Sequence, residues 1–417
     1  MYPDLSYFFN DLLGTPVDNW TSLFKTFGLL LAIAIFSAAW LFRLELKRKA
    51  DEGFLKPTKG TKKTGAKLSI IDLVVNTLFG FLLGYKLGFI LQNIEAFQTD
   101  ASAVLLSNKG NVFGGIIGLL VLVGPILWRY WRDRDTPIRE IETTIFPHDR
   151  IGEITIIAAL FGIIGAKFFG VMEDPAAFAK RPLQMLFSGS GLAIYGGLIV
   201  GFLGSYWYLR RNNLPVKHML DAVVPALLLG YAVGRLGCQF SGDGDWGIVN
   251  TVAQPGWWFL PDWLWAYHYP NNVTNQGVLM DICDPQKWQA LLSNRSLEIE
   301  ERCLEACGIR YCHELQPPVF PTPIYESITM LVLLLIVWNI RKRIRIAGML
   351  FFIYLILNGV ERFLIEKIRV NDTYDFLPFQ PTQAEIISTL FVLTGLTGCY
   401  FLWKKEQAVQ TSDSQKE

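Results

Sequence analysis

Charged residues are scarce in this chain, and hydrophobic residues take their place. Only 18% of its 417 residues are Asp, Glu, Lys or Arg, whereas 51% are hydrophobic and 14% aromatic. This balance excludes an ordinary soluble protein and leaves no room for a soluble catalytic domain. The net charge of +1 offers no argument for a nucleic-acid partner, and none is expected. The composition indicates an integral membrane protein.

Cysteine pairs at the C-x-x-C spacing are also absent. Four of the six cysteines crowd one polar segment: Cys283, Cys303, Cys307 and Cys312. Two disulfides in an oxidising compartment are the favoured interpretation, and a zinc site of three cysteines with His313 is the alternative.

Apolar runs long enough to cross a bilayer are plentiful. They fall near 26–43, 69–92, 111–129, 151–172, 190–209, 216–236, 323–340, 347–360 and 382–403. Lys and Arg concentrate in alternate connections, which predicts an N-terminus outside and a cytoplasmic C-terminus. The loop after the eighth run, with Arg362, Lys367 and Arg369, is the exception and requires another explanation. Asp221, inside the sixth run, is interpreted as shaping the fold.

A sequence pattern that occurs twice in the chain predicts an internal duplication. Gly84-Tyr85-Lys86 matches Gly165-Ala166-Lys167, and Phe113-Gly114-Gly115 matches Tyr195-Gly196-Gly197 with one more residue between them. The second and third runs are therefore interpreted as a degenerate copy of the fourth and fifth. Chance similarity between glycine-rich apolar stretches is the alternative.

The polar segment 247–320 is too long to be a connector and predicts a small domain or arm. It opens with a cluster of aromatic residues: Trp257, Trp258, Trp263, Trp265, Tyr267 and Tyr269. Such a cluster is typical of an interfacial belt on lipid headgroups. Contact with a passing peptide is the alternative.

An arginine at the end of an apolar span carries the strongest functional signal. Arg235 ends the sixth run and leads into Gly242-Asp243-Gly244-Asp245. A cation in that position is costly unless it meets an anion, and the glycines let backbone N–H groups approach a ligand. An arginine beside open amides suits a phosphate, which at membrane depth belongs to a lipid headgroup. Cys238 is interpreted as a packing residue, since a reactive thiol requires a demonstrated partner.

A second polar group follows the eighth run. Arg362, Glu366 and Arg369, followed by Asp372, are spaced to share one helical face, with Glu366 able to orient both arginines. A salt-bridged surface helix is the alternative.

Two further motifs fall on the same side of the predicted membrane. Ser188–Gly191 leads to Tyr195-Gly196-Gly197, and the stretch 321–326 ends in Tyr325-Glu326. Their alternatives are close helix packing and an interfacial anchor with a capping carboxylate.

These motifs, in this order, resemble the prolipoprotein diacylglyceryl transferase family. The resemblance rests on Gly234–Gly237 with the Gly-Asp turn and Trp246-Gly247, on Tyr195-Gly196-Gly197, on Tyr325-Glu326, and on Arg362, Glu366, Arg369 and Asp372. It covers roughly Asn19–Leu46, 151–247 and 320–405. It implies an all-α polytopic membrane protein of about nine transmembrane helices, a family core of seven plus an inserted pair, with a small extracytoplasmic domain.

The implied domains divide the chain into six parts. They are the outer N-terminus and first span (1–46), a basic loop with the inserted pair (47–150), catalytic core spans (151–246), the outer arm (247–320), C-terminal core spans (321–405) and a cytoplasmic tail (406–417).

The activity implied by the resemblance is transfer of the diacylglyceryl group of phosphatidylglycerol to the lipobox cysteine of a prolipoprotein, in the bacterial inner membrane. A thioether forms and glycerol 1-phosphate leaves. The expected partners are phosphatidylglycerol, a prolipoprotein signal peptide and membrane lipid, with no cofactor and no metal. A non-catalytic lipid- or prolipoprotein-binding paralogue is the alternative, and a transporter built from the repeat ranks below it.

The resemblance also points to individual residues. The candidate catalytic residues are Arg235, Arg362, Tyr195, Asp243, Asp245 and Glu366. Those for phosphatidylglycerol binding are Arg235, Arg362, Arg369, Gly196, Gly197, Gly237 and Tyr325. Family members often carry histidine where Tyr195 stands, and either Asp243 or Asp245 replaces the family's glutamate. The group that accepts the thiol proton therefore stays open.

Overall fold

The computed structural model is mostly helical. It describes residues 1–64, 70–94, 97, 104, 107–132, 139–173, 175–180, 182–187, 193–292, 297, 299–371 and 380–414. The helices are α1 (Leu5–Leu13), α2 (Thr26–Asp51), α3 (Ile70–Gln92), α4 (Val112–Arg132), α5 (Ile151–Glu173), α6 (Pro175–Lys180), α7 (Pro182–Phe187), α8 (Ile194–Arg211), α9 (Val216–Ser241), α10 (Pro285–Leu292), α11 (Ile299–Cys307), α12 (Thr322–Ile340), α13 (Met349–Glu366) and α14 (Gln383–Ser414). Strand β1 (Thr58–Thr64) pairs antiparallel with β2 (Arg139–Ile145), and β3 (Val278–Leu279) with β4 (His313–Glu314).

A helix stands at each position where an apolar run predicts a span. Among the described helices, six stretches are long and apolar enough to cross a membrane: Thr26–Asp51, Val112–Arg132, Pro147–Met172, Val216–Ser241, Thr322–Ile340 and Gln383–Ala408. The protein is therefore a polytopic, mostly helical membrane protein. Helices α3, α8 and α13 stand at the other three predicted positions, and the count of nine spans stays a prediction.

The chain divides into two compact units. The first contains Met1–Lys49 and Pro215–Glu417, and the second contains Ala50–Leu214. The first unit holds α9, α12 and α13, the helices that carry the arginines predicted to bind phosphate or their acidic neighbours. The second holds the two helix pairs of the predicted duplication.

In the first unit, α9, α12 and α13 pack around one apolar cluster. Its buried members are Val224, Leu228, Ala232, Met330, Val337 and Leu350. At one end of this cluster the Asp221 carboxylate of α9 accepts the backbone N–H groups of Gly348 (2.8 Å) and Phe351 (3.2 Å). Asp221 therefore caps the start of α13. Lys49 neutralises the cap at 3.3 Å.

In the second unit, the pair α3 and α4 makes the same backbone contact as the pair α5 and α8. The N–H of Asn111 donates to the carbonyl of Tyr85 at 2.9 Å, and the N–H of Ala193 donates to that of Ala166 at 2.9 Å. Tyr85 and Ala166 are equivalent positions in the matched sequences. This equivalence supports the predicted duplication.

The segment between α9 and α12 folds around two disulfides. Cys283 bonds to Cys307 and Cys303 to Cys312, which favours the disulfide interpretation over a zinc site. The N-terminal stretch packs against it: the Tyr311 backbone N–H donates to the Tyr7 hydroxyl at 3.3 Å. The segment thus has a core of its own.

Candidate active site

A left-handed glycine ends α9 and starts the loop that carries two aspartates. Gly242 has φ 63°, and its N–H donates to the Cys238 carbonyl at 3.0 Å. Glycine adopts this conformation without strain, which makes it the usual residue after a helix end. The chain then turns back, so that Asp243 and Asp245 lie just beyond Arg235.

Three separate chain segments meet beside this loop. Gly247 forms a β-bridge with Arg369, and its N–H donates to the carbonyl of Phe320 at 2.9 Å. The Thr322 hydroxyl donates to the Asp245 carbonyl at 2.9 Å. A side chain at position 247 would collide with the carbonyl of Ile368, so only glycine lets the segments approach this closely. The end of α9, the start of α12 and the segment after α13 are thereby held together.

Glu326, in the second turn of α12, is the centre of the site. Its side chain is fully buried (0% exposed). Its carboxylate lies 2.6 Å from Arg235 Nε, 2.9 Å from Arg369 Nη1 and 3.9 Å from Arg362 Nη1. The Tyr231 hydroxyl donates to the same carboxylate at 2.5 Å. We call Arg235, Arg362, Arg369 and Glu326 the arginine cluster.

Asp245 joins the same network from the loop after α9. It pairs with Arg235 through one oxygen, and Arg369 Nη2 lies 2.7 Å from the other. Burial acts to raise the pKa of Asp245, but the two guanidinium groups outweigh it and hold the pKa below its ordinary value. Asp245 is therefore ionised and a poor proton acceptor.

The electrostatic environment of Asp243 is opposite to that of Asp245. Burial, and then the negative charge of Asp245, raise the pKa of Asp243 above its ordinary value. Of the two aspartates, Asp243 is the better proton acceptor. Together with Cys238 the two offer metal-ligand atoms within 4.8 Å of one another. Because Asp245 is already paired with two arginines, this set is poorly suited to a cation.

Glu366 contacts one of the two arginines that it was expected to orient. Its carboxylate lies 2.9 Å from Arg362 Nη2 and accepts from Asn371 Nδ2 at 2.6 Å. Helix α13 ends at Glu366, so Arg369 leaves the helical face and turns toward Glu326 and Asp245. The prediction of one shared helical face was wrong for Arg369.

Two nitrogens of the arginine cluster keep free hydrogen-bonding capacity. Arg362 Nη1 and Arg369 Nε are buried and have no hydrogen-bond partner. Buried donors are normally paired, so these two indicate a place for an anion. Guanidinium groups suit a phosphate because their donors match its oxygens.

A comparison with known proteins now identifies the family. The family model described as prolipoprotein diacylglyceryl transferase matches residues 127–401. The chain belongs to the prolipoprotein diacylglyceryl transferase family.

Several curated relatives carry the name phosphatidylglycerol–prolipoprotein diacylglyceryl transferase. The protein from Clostridium novyi is 26% identical over 280 residues, covering 67% of this chain and 88% of the relative. That from Leptospira interrogans is 27% identical over 346 residues (69% and 89%). That from Clostridioides difficile is 27% identical over 292 residues (70% and 91%).

Two family positions predicted to bind lipid make other contacts. The Tyr325 hydroxyl donates to the carbonyl of Leu264 at 2.5 Å, which fastens the segment between α9 and α12 to α12. A side chain at position 237 would lie 3.3 Å from the Phe27 ring, so Gly237 lets α2 pack closely against α9. In this structure both residues bring neighbouring segments of the chain into contact, and a lipid-binding role for them stays a prediction.

The family motif around Tyr195 lies in the second unit. Gly196 and Gly197 begin α8 and face Gly165 and Gly162 of α5, and added side chains would lie 2.7 and 3.1 Å from the carbonyls of those two residues. Both glycines therefore serve close helix packing, as the alternative interpretation expected. Ser188–Gly191 and Asp372 lie outside the described residues, and so does the side chain of Tyr195.

Sequence reasoning missed the most connected residue of the site. Glu326 was noted in a family motif, with a capping carboxylate as the alternative, but it was not among the candidate site residues, although a carboxylate in an early turn of an apolar span is costly without a cation. That cost was the signal available. Tyr231 and Glu361 were also missed, because each precedes a motif, Gly234–Gly237 or Arg362, without belonging to it.

Proposed function

We propose that this protein transfers the diacylglyceryl group of phosphatidylglycerol to the lipobox cysteine of prolipoproteins. Its substrates are the lipid and an incoming prolipoprotein, and the products are a thioether-linked lipoprotein and glycerol 1-phosphate. The observation that supports this most is the arginine cluster, in which three guanidinium groups surround one buried carboxylate and keep two unpaired donors.

The lipid phosphate binds to the unpaired donors of Arg362 and Arg369 and to Arg235. Each guanidinium has five N–H donors, so these arginines can hold a phosphate and keep their contacts to Glu326 and Asp245. The carboxylates fix the guanidinium groups in place before the lipid arrives, which lowers the reorganisation that binding requires. Glu366 positions Arg362 in the same way.

The reaction is a displacement at the glyceryl carbon bonded to the phosphate oxygen. The thiol loses its proton, the sulfur forms a bond to that carbon, and the carbon–oxygen bond breaks with its electrons on the phosphate oxygen. Arg235, Arg362 and Arg369 stabilise the charge on the departing phosphate. Asp243, on the loop beyond α9, orients the glycerol headgroup, and a hydrogen bond from Tyr195 to the sulfur or the phosphate stays a prediction from the family motif.

The topology belongs to the same proposal. The protein lies in the bacterial inner membrane, with nine spans, the N-terminus and the segment 247–320 outside, and the C-terminal tail in the cytoplasm. The basic residues of alternate loops support this orientation. The basic residues after the eighth apolar run are then explained in part, because two of them, Arg362 and Arg369, belong to the site.

A transfer assay with purified protein tests the function. Labelled phosphatidylglycerol and a lipobox peptide are incubated with the wild type, Arg235→Ala or Arg345→Ala, and the thioether product is measured. Arg345 is exposed in the loop between α12 and α13 and serves as the charge-matched control. We expect product from the wild type and the control and none from Arg235→Ala. Binding of both substrates by the wild type with no thioether would instead show a non-catalytic paralogue.

A further inference from the structure

Glu361 is a buried carboxylate of α13 that the proposed function leaves without a role. It is 8% exposed, and among the residues that the structure describes neither of its carboxylate oxygens has a hydrogen-bond partner. Burying a carboxylate without partners is costly, so such groups are rare in folded proteins unless a ligand or a reaction uses them. The part of the site around Glu361 is therefore incomplete in the free protein.

One side of Glu361 faces the apolar cluster between α9, α12 and α13. Tyr354 and Leu357 precede Glu361 on α13 by seven and four residues, spacings that place all three on one helical face. Both pack against the apolar cluster. Tyr231 of α9, which packs there too, is near enough to interact electrostatically with Glu361.

Glu361 also lies within electrostatic reach of the arginine cluster. The charges of Glu326, Arg362, Arg235 and Arg369 all act on its carboxyl group. The three guanidinium groups are already matched by Glu326, Glu366 and Asp245. Glu361 is an additional acid, and no basic side chain in the described part of the chain forms an ion pair with it.

The stereochemistry of the displacement places the attacking thiol on the side of the arginine cluster where Glu361 lies. A nucleophile attacks the carbon opposite to the oxygen that leaves. With the phosphate in the arginine cluster and the acyl chains in the bilayer, the sulfur approaches from the bilayer side. Glu361 lies five residues inside the end of α13, about 7.5 Å along the helix axis, whereas Asp243 and Asp245 lie beyond the end of α9.

We propose that Glu361 is the catalytic base that takes the proton of the lipobox thiol, an inference that rests on the proposed transferase function. The S–H bond breaks and its proton passes to a Glu361 oxygen. The sulfur forms the C–S bond as the C–O bond breaks toward the phosphate. After glycerol 1-phosphate leaves, Glu361 returns its proton to water. A lipid phosphate in the cluster adds negative charge beside Glu361, so lipid binding strengthens the base when the thiol needs it.

The test compares Glu361→Gln with the wild type, because glutamine keeps the shape and removes the basic oxygen. We expect kcat to fall about 10²–10⁴-fold, the range typical of a lost general base. KM for phosphatidylglycerol changes little, since the arginines remain. The wild-type rate should fall at low pH, where Glu361 becomes protonated. This acidic decrease in the pH–rate profile should be absent from the variant.

A selenocysteine peptide separates a base from a structural residue. A selenol is ionised at neutral pH and needs no base, so Glu361→Gln should transfer lipid to it nearly as fast as the wild type does. Equal slowing with thiol and selenol, or no slowing with thiol, would overturn the proposal. If the Glu361→Gln protein does not insert into the membrane, Glu361→Asp is used as the test variant instead. Its displaced carboxylate slows the thiol reaction and leaves the selenol reaction unchanged.

The same experiment distinguishes this inference from the proposed function. Absence of thioether with the wild type refutes both. Wild-type transfer with undiminished transfer by Glu361→Gln refutes the role of Glu361 alone.

Discussion

Arg369 donates to Glu326 at 2.9 Å, although Arg369 follows the end of α13 and Glu326 lies near the start of α12. The same guanidinium reaches Asp245 at 2.7 Å. One side chain therefore ties the loop after α9 to α12. Because Glu326 also pairs with Arg235, removing one carboxylate leaves several buried cations without their counter-charge.

Replacing Glu326 should damage both activity and stability. Glu326→Gln removes the one carboxylate that all three buried guanidinium groups share, and breaking a buried ion pair costs about 3–5 kcal/mol of unfolding free energy. We expect a large loss of lipid transfer and a lower melting temperature in detergent. The control is Glu305→Gln, at an exposed position of α11. Wild-type transfer by the Glu326 variant would contradict the central place of this carboxylate.

Asp243 and Asp245, in the loop after α9, should affect stability in opposite directions as the pH changes. The pKa of Asp245 is lowered by Arg235 and Arg369 against the effect of burial, so its stabilising effect is present above the ordinary carboxyl pKa and is lost as the pH falls through the folded-state value. The pKa of Asp243 is raised, by burial and then by Asp245, so ionising it destabilises the fold as the pH rises above the ordinary value.

Melting curves across pH test this pair. Asp245→Asn should lower the melting temperature at neutral pH and bring it closer to the wild type in acid. Asp243→Asn should raise it at neutral pH and have little effect in acid. Parallel curves for the two variants would show that their electrostatic settings are alike.

Close packing of α5 on α8 should make one glycine of α5 far more sensitive than another. A side chain at Gly165 would collide with the Gly196 carbonyl and the Val200 side chain, whereas one at Gly152 meets nothing within 4 Å. Gly165→Ala should lower the unfolding free energy by about 1–3 kcal/mol through overpacking. Gly152→Ala, on the same helix, should be neutral or stabilise by up to about 1 kcal/mol. Denaturant unfolding in detergent measures both, and equal effects would contradict the packing.

The disulfides should stabilise the segment between α9 and α12. Peptide mapping without reduction should recover Cys283 with Cys307 and Cys303 with Cys312, leaving Cys238 and Cys399 as free thiols. The double variant Cys303→Ser, Cys312→Ser should lose about 2–4 kcal/mol of stability. Cys399→Ser is the control for removal of a cysteine outside these bonds. Recovery of Cys283 with Cys303 would refute the pairing.

The sequence located the helices well because lipid imposes a simple rule. A spanning helix requires a long apolar run, and each of the nine runs contains a helix in the structure. Arg235, Arg362 and Arg369 could also be found, since a cation at the end of such a run needs an explanation.

The partners of these arginines could not be found in the same way. Glu326 and Glu361 meet the cluster through the packing of α12 and α13 against α9, and one sequence does not show which faces of three helices touch. Helical spacing placed Arg369 on the face of Glu366, but the helix stops at Glu366 and the β-bridge to Gly247 redirects the chain. In both cases tertiary contacts, which the sequence alone does not show, determine where the side chain lies.

The cap that Asp221 forms on α13 bears on how the proposed lipid substrate reaches the arginines. Asp221 of α9 holds the first turn of α13 through two backbone N–H groups. At the far end, Glu326 lies between the side chains of Arg235 from α9 and Arg362 from α13. Because side chains of neighbouring helices hold both ends of α13, we expect its backbone to stay in place when the proposed lipid binds. Rotation of side chains would then admit the headgroup.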